Sequence, residues 1–145
     1  MIYKCATKEY LDDMTKIFIE AFNSEPWNEK WTEDIVKKRL LQLMNFDDFY
    51  GIVALDNDNI IGFILGNDEY YYNSTQFIIK EFCVDTKIKG MGIGKQIIEE
   101  FENRLKRRGV NEIVLMTLRS DDTLGFYNKR GYKNIDDLVM MNKSI

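Results

Sequence analysis

The chain has 145 residues, of which 45% are hydrophobic and 30% charged, as expected for one soluble globular domain covering residues 1–145. The net charge of -4 disfavours nucleic acid as a partner, and no apolar run approaches the roughly 18 residues of a membrane helix. The chain contains no histidine, which excludes imidazole bases, Ser–His and Cys–His nucleophile pairs and most zinc sites.

The two cysteines, Cys5 and Cys83, follow no metal-ligand spacing, so we expect buried thiols and no metal. The N-terminus lacks the basic-then-apolar layout of a signal peptide, and we therefore expect a cytoplasmic protein. The charge is unevenly distributed. Residues 1–80 contain 8 Lys and Arg against 14 Asp and Glu, whereas residues 81–145 contain 12 against 10, so the second half is the more favourable place for a small anion.

In the first third of the chain, "IYKCA" predicts a short strand, followed by a helix that begins at Thr7. Apolar residues recur at helical spacing on one face of that helix, namely Tyr10, Leu11, Met14, Ile17, Phe18, Ala21 and Phe22. A second helix is predicted after Thr32, a typical N-cap residue, with Glu33 and Asp34 in its first turn.

The middle of the chain predicts a sheet. "YGIVALD" and "IIGFILG" form a hairpin around the polar turn at residues 57–59, and "TQFIIKEFCVD" forms the next strand. After a glycine-rich stretch, a helix ends near Gly109 and is followed by the buried strand "EIVLMTL". A short helix from Ser120 to Arg130 and a last strand, "LVMMNKSI", complete the chain.

The stretch "KGMGIGK" lies between a predicted strand and a predicted helix, and such a junction favours an anion site. Glycines let the backbone approach a ligand closely, and the free N–H groups of the first helical turn point at negative charge. The spacing matches neither GxxxxGK[ST] nor GxGxxG, which disfavours a nucleotide hydrolase or a dehydrogenase. A tight turn without a ligand is the alternative interpretation.

This segment resembles the pyrophosphate loop of the GNAT superfamily of acetyl-CoA-dependent N-acetyltransferases. Gly92 and Gly94 match the family motif, whereas Lys89 stands where the family has Arg or Gln. A second segment, "TLGFYNKRGYK", resembles the family's aromatic–Tyr pair followed by Gly and an aromatic residue. Ser120 occupies the position of an asparagine that many members have. Two motifs in the correct order are more specific than either motif alone.

The resemblance implies an α/β (α+β) fold with a mixed, mostly antiparallel central sheet flanked by helices and a splayed strand pair that holds the cofactor. It also implies direct transfer of the acetyl group from acetyl-CoA to an amine, without a covalent enzyme species. The cofactor-binding residues that it implies are Phe82, Cys83, Val84, Lys89, Gly90, Met91, Gly92, Ile93, Gly94, Lys95, Ser120 and Phe126.

Tyr127 matches the position of the usual general acid, because a neutral phenol can protonate the leaving thiolate of CoA. It could instead only contact the cofactor. An alkylammonium with a pKa near 10.4 must lose a proton before it attacks, which costs roughly 4 to 5 kcal/mol at neutral pH. Glu81, embedded in "IIKEFCV", is our candidate base, and pairing with Lys80 or another lysine is the alternative. Acetylation of Cys83 is a lesser possibility.

The acceptor side is expected to include aromatic residues beside acidic ones, with Trp27, Trp31, Tyr70 and Tyr71 as candidate substrate-binding residues. These residues suit a small cationic amine, and "EPWNEKWT" is similar to segments of aminoglycoside-acetylating GNAT members. A polyamine, an amino acid, a lysine or a protein N-terminus would fit the same chemistry. The aromatic residues could otherwise be half-buried packing or the surface of a homodimer. A non-catalytic acyl-CoA-binding or regulatory domain is the alternative from another functional class.

Overall fold

The computed structural model describes all residues, Met1–Ile145, and the chain divides into two compact units, Met1–Leu115 and Met116–Ile145. The first unit contains, in chain order, β1 (Ile2–Cys5), α1 (Leu11–Phe22), α2 (Glu33–Met44), β2 (Phe49–Asp56), β3 (Asn59–Tyr71), β4 (Ser74–Val84), α3 (Ile93–Arg107) and β5 (Glu112–Leu115). The second unit contains α4 (Asp121–Asn128).

The five strands form one sheet in the order β1-β2-β3-β4-β5. Neighbouring strands are antiparallel except for β4 and β5, which are parallel and are connected through α3. The expected mixed, mostly antiparallel sheet flanked by helices is therefore confirmed. The pairing of β4 with β5 covers only Gln76–Ile79 on β4, whereas β4 stays paired with β3 as far as Val84. β5 ends at Leu115, opposite Ile79, so the rest of β4 has no parallel neighbour in the sheet.

The two faces of the sheet carry different helices. Phe63, Leu65 and Cys83 belong to a core cluster with side chains of α1 and α2, among them Met14 and Val36. Residues on the opposite face meet α3: the rings of Phe77 and Phe101 are 5.2 Å apart, centroid to centroid. The sheet is therefore buried on both faces in its centre, which agrees with the long apolar runs of β2 and β3.

Several local predictions agree with the structure. Thr32 is the N-cap of α2, with Glu33 and Asp34 in the first turn. The β2–β3 hairpin turns through Asn57 and Asp58, whose φ angles of 48° and 63° lie in the left-handed region that Asn and Asp tolerate better than most residues. The first helix differs in its start, because Lys8–Tyr10 forms a 3-10 turn and α1 begins only at Leu11.

The predicted last strand at residues 138–145 is wrong, since that segment has no regular secondary structure. Its apolar side chains are exposed, including Val139 and Met141. A strand needs a neighbour to accept and donate its backbone hydrogen bonds, and the second unit contains no strand that could serve. No helix of the protein combines the length and apolar character that a bilayer crossing requires.

Candidate active site

The glycine-rich loop before α3 has the backbone conformation that its sequence predicts. Gly90 and Gly92 have φ angles of 85° and 76°, which side chains with a Cβ rarely adopt. Gly92 is the N-cap of α3, and the first helical hydrogen bond runs from the Gln96 N–H to the Gly92 carbonyl at 3.2 Å. The N–H groups of Ile93, Gly94 and Lys95 therefore precede the first intrahelical donor. They are available to an anion at this helix end.

The space above this loop is open. A Cβ built at Gly90 or Gly92 would meet no atom within 4 Å. Met91, between the two glycines, exposes 68% of its surface, and Lys89 and Lys95 are exposed as well. Lys95 lies 3.8 Å from Glu99 in the next turn, an exposed pair that contributes little to stability. The loop thus combines unblocked backbone with two exposed cations.

The end of β4 presents backbone rather than reactive side chains. Phe82, Cys83 and Val84 stand opposite Ile64, Phe63 and Gly62 of β3. Cys83 is only 2% exposed, and burial, together with the nearby charge of Glu81, raises the pKa of its thiol well above the ordinary value. A protonated, buried thiol is a poor nucleophile, which argues against acetylation of Cys83.

A bulge places Glu81 on the opposite face of the sheet from Phe77. Ile79 stands opposite Gly66 and Glu81 stands opposite Leu65, so Lys80 is an extra residue without a partner in the register. Phe77 consequently faces α3, whereas Glu81 shares the face of Leu65 and Cys83, which is covered by α1 and α2. In a regular strand Phe77 and Glu81 would share a face, whereas the bulge leaves the carboxylate facing α2.

Glu81 is 7% exposed and accepts a hydrogen bond from Nε of Arg39, on α2. Burial raises the pKa of the Glu81 carboxyl, and the Arg39 guanidinium opposes part of that rise. The ion-pair partner of Glu81 is Arg39 and not the lysine that the sequence suggested as the alternative. Sequence reasoning missed Arg39. In the sequence Arg39 directly follows Lys37 and Lys38, and nothing local distinguishes it from them as the partner of a buried carboxylate.

Trp31 and Glu29 lie beside this pair. The guanidinium carbon of Arg39 is 6.0 Å from the centroid of the Trp31 ring, and Trp31 Nε1 donates to Glu29 Oε1 at 3.2 Å. Trp31 also packs edge-on against Phe18, with 5.0 Å between ring centroids. The segment between α1 and α2 thus brings an aromatic ring and a second carboxylate to the partly exposed guanidinium of Arg39.

The four candidate acceptor-side residues do not form one cluster. Trp27 packs on Phe22 at 5.1 Å between centroids, near Trp31 in the same segment. Tyr70 and Tyr71 are 69% and 52% exposed at the tip of the β3–β4 hairpin. Tyr70 stands opposite Thr75, six residues before Glu81, or about 20 Å along the strand at about 3.3 Å per residue. Trp31 is therefore the predicted residue that accompanies Glu81.

The second unit contains the predicted aromatic motif. Ser120 is the N-cap of α4, and its Oγ accepts a hydrogen bond from the Thr123 N–H at 3.3 Å. The Tyr127 ring contacts Phe126 at 5.1 Å and Tyr132 at 5.5 Å between centroids. The guanidinium of Arg130 lies 3.8 Å from the centroid of the Phe126 ring. Gly131, with a φ of 87°, reverses the chain so that Tyr132 returns to Tyr127.

Comparison with known proteins decides the family. Residues 10–144 match the family model described as an acetyltransferase (GNAT) domain, which covers nearly the whole chain. The protein is a GNAT acetyltransferase. An acetyltransferase of Pectobacterium atrosepticum is 28% identical over 121 residues, which are 83% of this chain and 79% of the relative.

Solved structures agree with the fold of a GNAT enzyme. The crystal structure of "a possible acetyltransferase" from Clostridium difficile superposes with a TM-score of 0.85 at 15% identity, covering 99% of this chain and 97% of the other. A soil-metagenome aminoglycoside acetyltransferase, in complex with sisomicin, superposes with a TM-score of 0.74 at 21% identity over 99% of this chain and 95% of the other.

Membership of the GNAT family implies that acetyl-CoA supplies the acetyl group. The residues of the loop fit this co-substrate, because the space beside Gly90 and Gly92 is open and unpaired N–H groups begin α3. A pyrophosphate at this position would be held by backbone donors, with Lys89 and Lys95 as flexible cations beside it. No group of three or more His, Cys, Asp and Glu side chains lies close enough together to hold a metal ion.

Proposed function

We propose that this GNAT enzyme transfers the acetyl group of acetyl-CoA to a primary amine of a small cationic substrate by direct attack of the amine. Glu81 takes the proton of the substrate ammonium, directly or through a water molecule. The amine nitrogen bonds to the acetyl carbon and the C–S bond breaks; Tyr127 donates its phenolic proton to the departing sulfur and is reprotonated by the second proton that the nitrogen loses. A cytoplasmic location and a homodimer remain predictions from the sequence.

The observation that carries this proposal is the burial of Glu81 on the same strand as the backbone expected to pair with the cofactor. A carboxylate is rarely buried without a reason, and burial raises its pKa, which makes it a stronger base than an exposed glutamate. Because the chain has no histidine, a carboxylate is the natural base for the reaction. Glu81 is the one carboxylate that is both buried and adjacent to the cofactor segment.

The preference for a cationic acceptor is supported by Glu29 and Trp31, which lie beside the Glu81–Arg39 pair. A carboxylate attracts an ammonium group, and an indole ring offers a cation–π contact. One structural neighbour is an aminoglycoside acetyltransferase in complex with sisomicin, and aminoglycosides are substrates of this class. We assign the role of general acid to Tyr127 because of its position in the family's aromatic–Tyr motif.

The test is release of free CoA thiol from acetyl-CoA in the presence of a panel of amines. The panel contains aminoglycosides, polyamines, amino acids and a peptide with a free N-terminus. We expect the highest kcat/KM with an amine that carries further positive charges. A preference for the peptide N-terminus would replace the small-molecule acceptor with a protein acceptor, and the absence of thiol release with every amine would contradict the proposal.

A further inference from the structure

Arg39, on α2, forms a hydrogen bond and an ion pair with the Glu81 carboxylate of the sheet. Its Nε donates to Oε1 of Glu81, so the hydrogen bond is formed with a charged donor on a charged acceptor. The Arg39 side chain is 37% exposed, whereas that of Glu81 is 7% exposed. The pair therefore joins a buried carboxylate to a cation that reaches the surface.

Two opposing effects act on Glu81. Burial favours the protonated acid, and the positive charge and hydrogen bond of Arg39 favour the ionised form. The other ionisable groups near this carboxyl are Glu29, from the segment between α1 and α2, and Cys83, from β4. Glu29 raises the pKa of Glu81, and the Cys83 thiol stays protonated. Arg39 is thus the one neighbouring group that holds Glu81 in the form that can accept a proton.

Neighbouring residues also hold the Arg39 guanidinium in position. The guanidinium lies 6.0 Å from the Trp31 ring centroid, and Trp31 is itself held by Phe18 and by a hydrogen bond from its backbone N–H to Asn23 Oδ1 at 2.8 Å. These contacts restrict the positions of the Arg39 side chain. They make the orientation of Glu81 depend on α2 and on the segment before it.

We propose that Arg39 is a positioning residue of the acetyltransferase, which holds the buried Glu81 ionised and in one orientation so that it can accept the proton of the acceptor amine. The inference rests on the proposed function, because it assigns Glu81 the role of base. Arg39 does not touch the reacting atoms in this scheme. It acts through the carboxylate.

The first test measures the pKa of Glu81 in the protein without any substrate. The carboxyl ¹³C shift of Glu81 is followed against pH, with Glu81→Gln used to assign the signal. Arg39→Met should raise the pKa by about 1 to 3 units, the usual effect of losing one close opposite charge. Arg39→Lys, which keeps the charge but loses the planar fork, should give a smaller rise. Lys38→Met removes an exposed cation of the same helix and should change nothing.

The second test measures kcat/KM against pH with the same amine. The amine's own ionisation contributes equally to every variant, so a difference between profiles belongs to the protein. Arg39→Met should move the acidic limb to higher pH by the amount measured for Glu81, whereas a purely structural role would lower the profile equally at all pH values. If Arg39→Met does not fold, Arg39→Lys should show a smaller displacement in the same direction.

The outcomes separate the two proposals. An unchanged pKa of Glu81 in the Arg39 variants overturns the role of Arg39 and leaves the proposed function intact. A raised pKa with an unmoved acidic limb overturns Glu81 as the base, and the positioning role fails with it. A raised pKa together with an equal displacement of the limb supports both.

Discussion

Glu81 of β4 and Arg39 of α2 form an ion pair across 42 residues of chain. The pair can form because the bulge at Lys80 interrupts the alternation of β4, so that Glu81 does not share the α3-facing side of Phe77 and Ile79. Breaking a buried pair by removing one partner is costly, since the remaining charge stays buried without compensation. The same contact therefore bears on the stability of the sheet and on the acidity of the candidate base.

The glycine loop gives the first prediction. Acetyl-CoA should raise the Tm of the wild-type protein by several degrees, because a ligand at about 100 times its Kd stabilises the folded state by about 2.7 kcal/mol. Gly92→Asp should abolish that rise, since it adds bulk and negative charge where the pyrophosphate is expected. Differential scanning fluorimetry with and without millimolar acetyl-CoA measures the effect.

Gly109→Asp is the matched control for this prediction. Gly109 also has a φ of 85° and open space around its Cβ position, but it lies at the other end of α3. The Gly109→Asp variant therefore places an aspartate in the same left-handed backbone conformation, but away from the glycine-rich loop. Its rise in Tm on addition of acetyl-CoA should equal that of the wild type, and an equal loss in both variants would contradict the loop assignment.

Replacement of Glu81 by Gln should lower turnover most strongly at neutral pH. The loss should diminish as the pH approaches 10, because the amine then loses its proton in solution and no longer needs a base. Initial rates from pH 6 to 10 measure the effect, and Glu112→Gln, an exposed glutamate on β5, serves as the control. A loss of constant size at every pH would make Glu81 structural.

Tyr127→Phe should leave acetyl-CoA binding nearly unchanged and lower kcat by about 10- to 10⁴-fold, the range that a positioned acid contributes. Tyr132→Phe keeps an aromatic ring against Tyr127 and should retain most of the activity. Calorimetric titration of acetyl-CoA separates binding from turnover. Full turnover in Tyr127→Phe would assign the tyrosine to cofactor packing and leave the thiolate to depart without an acid, which is tolerable for a thiol with a pKa near 8.5.

The raised pKa of Glu81 predicts how stability depends on pH. A folded-state pKa above the unfolded value means that the folded protein binds the proton more tightly, so this group favours folding more at low pH. Its contribution is lost as the pH rises from the unfolded value through the raised folded value. The difference in Tm between the wild type and Glu81→Gln should therefore move in favour of the wild type as the pH falls through that window. A difference that is constant with pH would show that folding leaves this pKa unchanged.

Gly66, opposite Ile79 at the bulge, should tolerate no side chain. A Cβ at this position would lie 2.0 Å from the Ile78 carbonyl oxygen and 2.6 Å from the Phe77 ring. Gly66→Ala should destabilise the protein by about 1 to 3 kcal/mol, the usual cost of overpacking, or more if the backbone cannot move. Gly125→Ala, in α4 with open space at its Cβ, should be neutral or slightly stabilising. Urea denaturation measures both, and equal stabilities would contradict the close packing at the bulge.

Much of the fold could be predicted because local patterns agree with the tertiary structure. The turn at Asn57 and Asp58, the N-cap at Thr32 and the glycines before α3 each depend on residues close together in the chain. The burial of Glu81 was also predictable from its apolar neighbours. These features need no knowledge of what packs against them.

The remaining features depend on contacts between distant segments. The residues Phe77, Ile79, Glu81 and Cys83 alternate as in a regular strand, yet the bulge divides them between two faces of the sheet. The partner of Glu81 could not be identified without that bulge. The segment at residues 138–145 has an apolar pattern typical of a strand, but strand formation depends on a neighbour that the sequence does not specify.

The bulge at Lys80 also determines which changes in chain length the site can absorb. Loss of the Lys80 codon would remove the one residue without a partner and restore a regular strand. Ile79 would still stand opposite Gly66 and Glu81 opposite Leu65, so the carboxylate would keep its orientation towards α2. An in-frame deletion of this residue is therefore a milder genetic change than a deletion in a regular part of the strand, where every later residue would exchange faces.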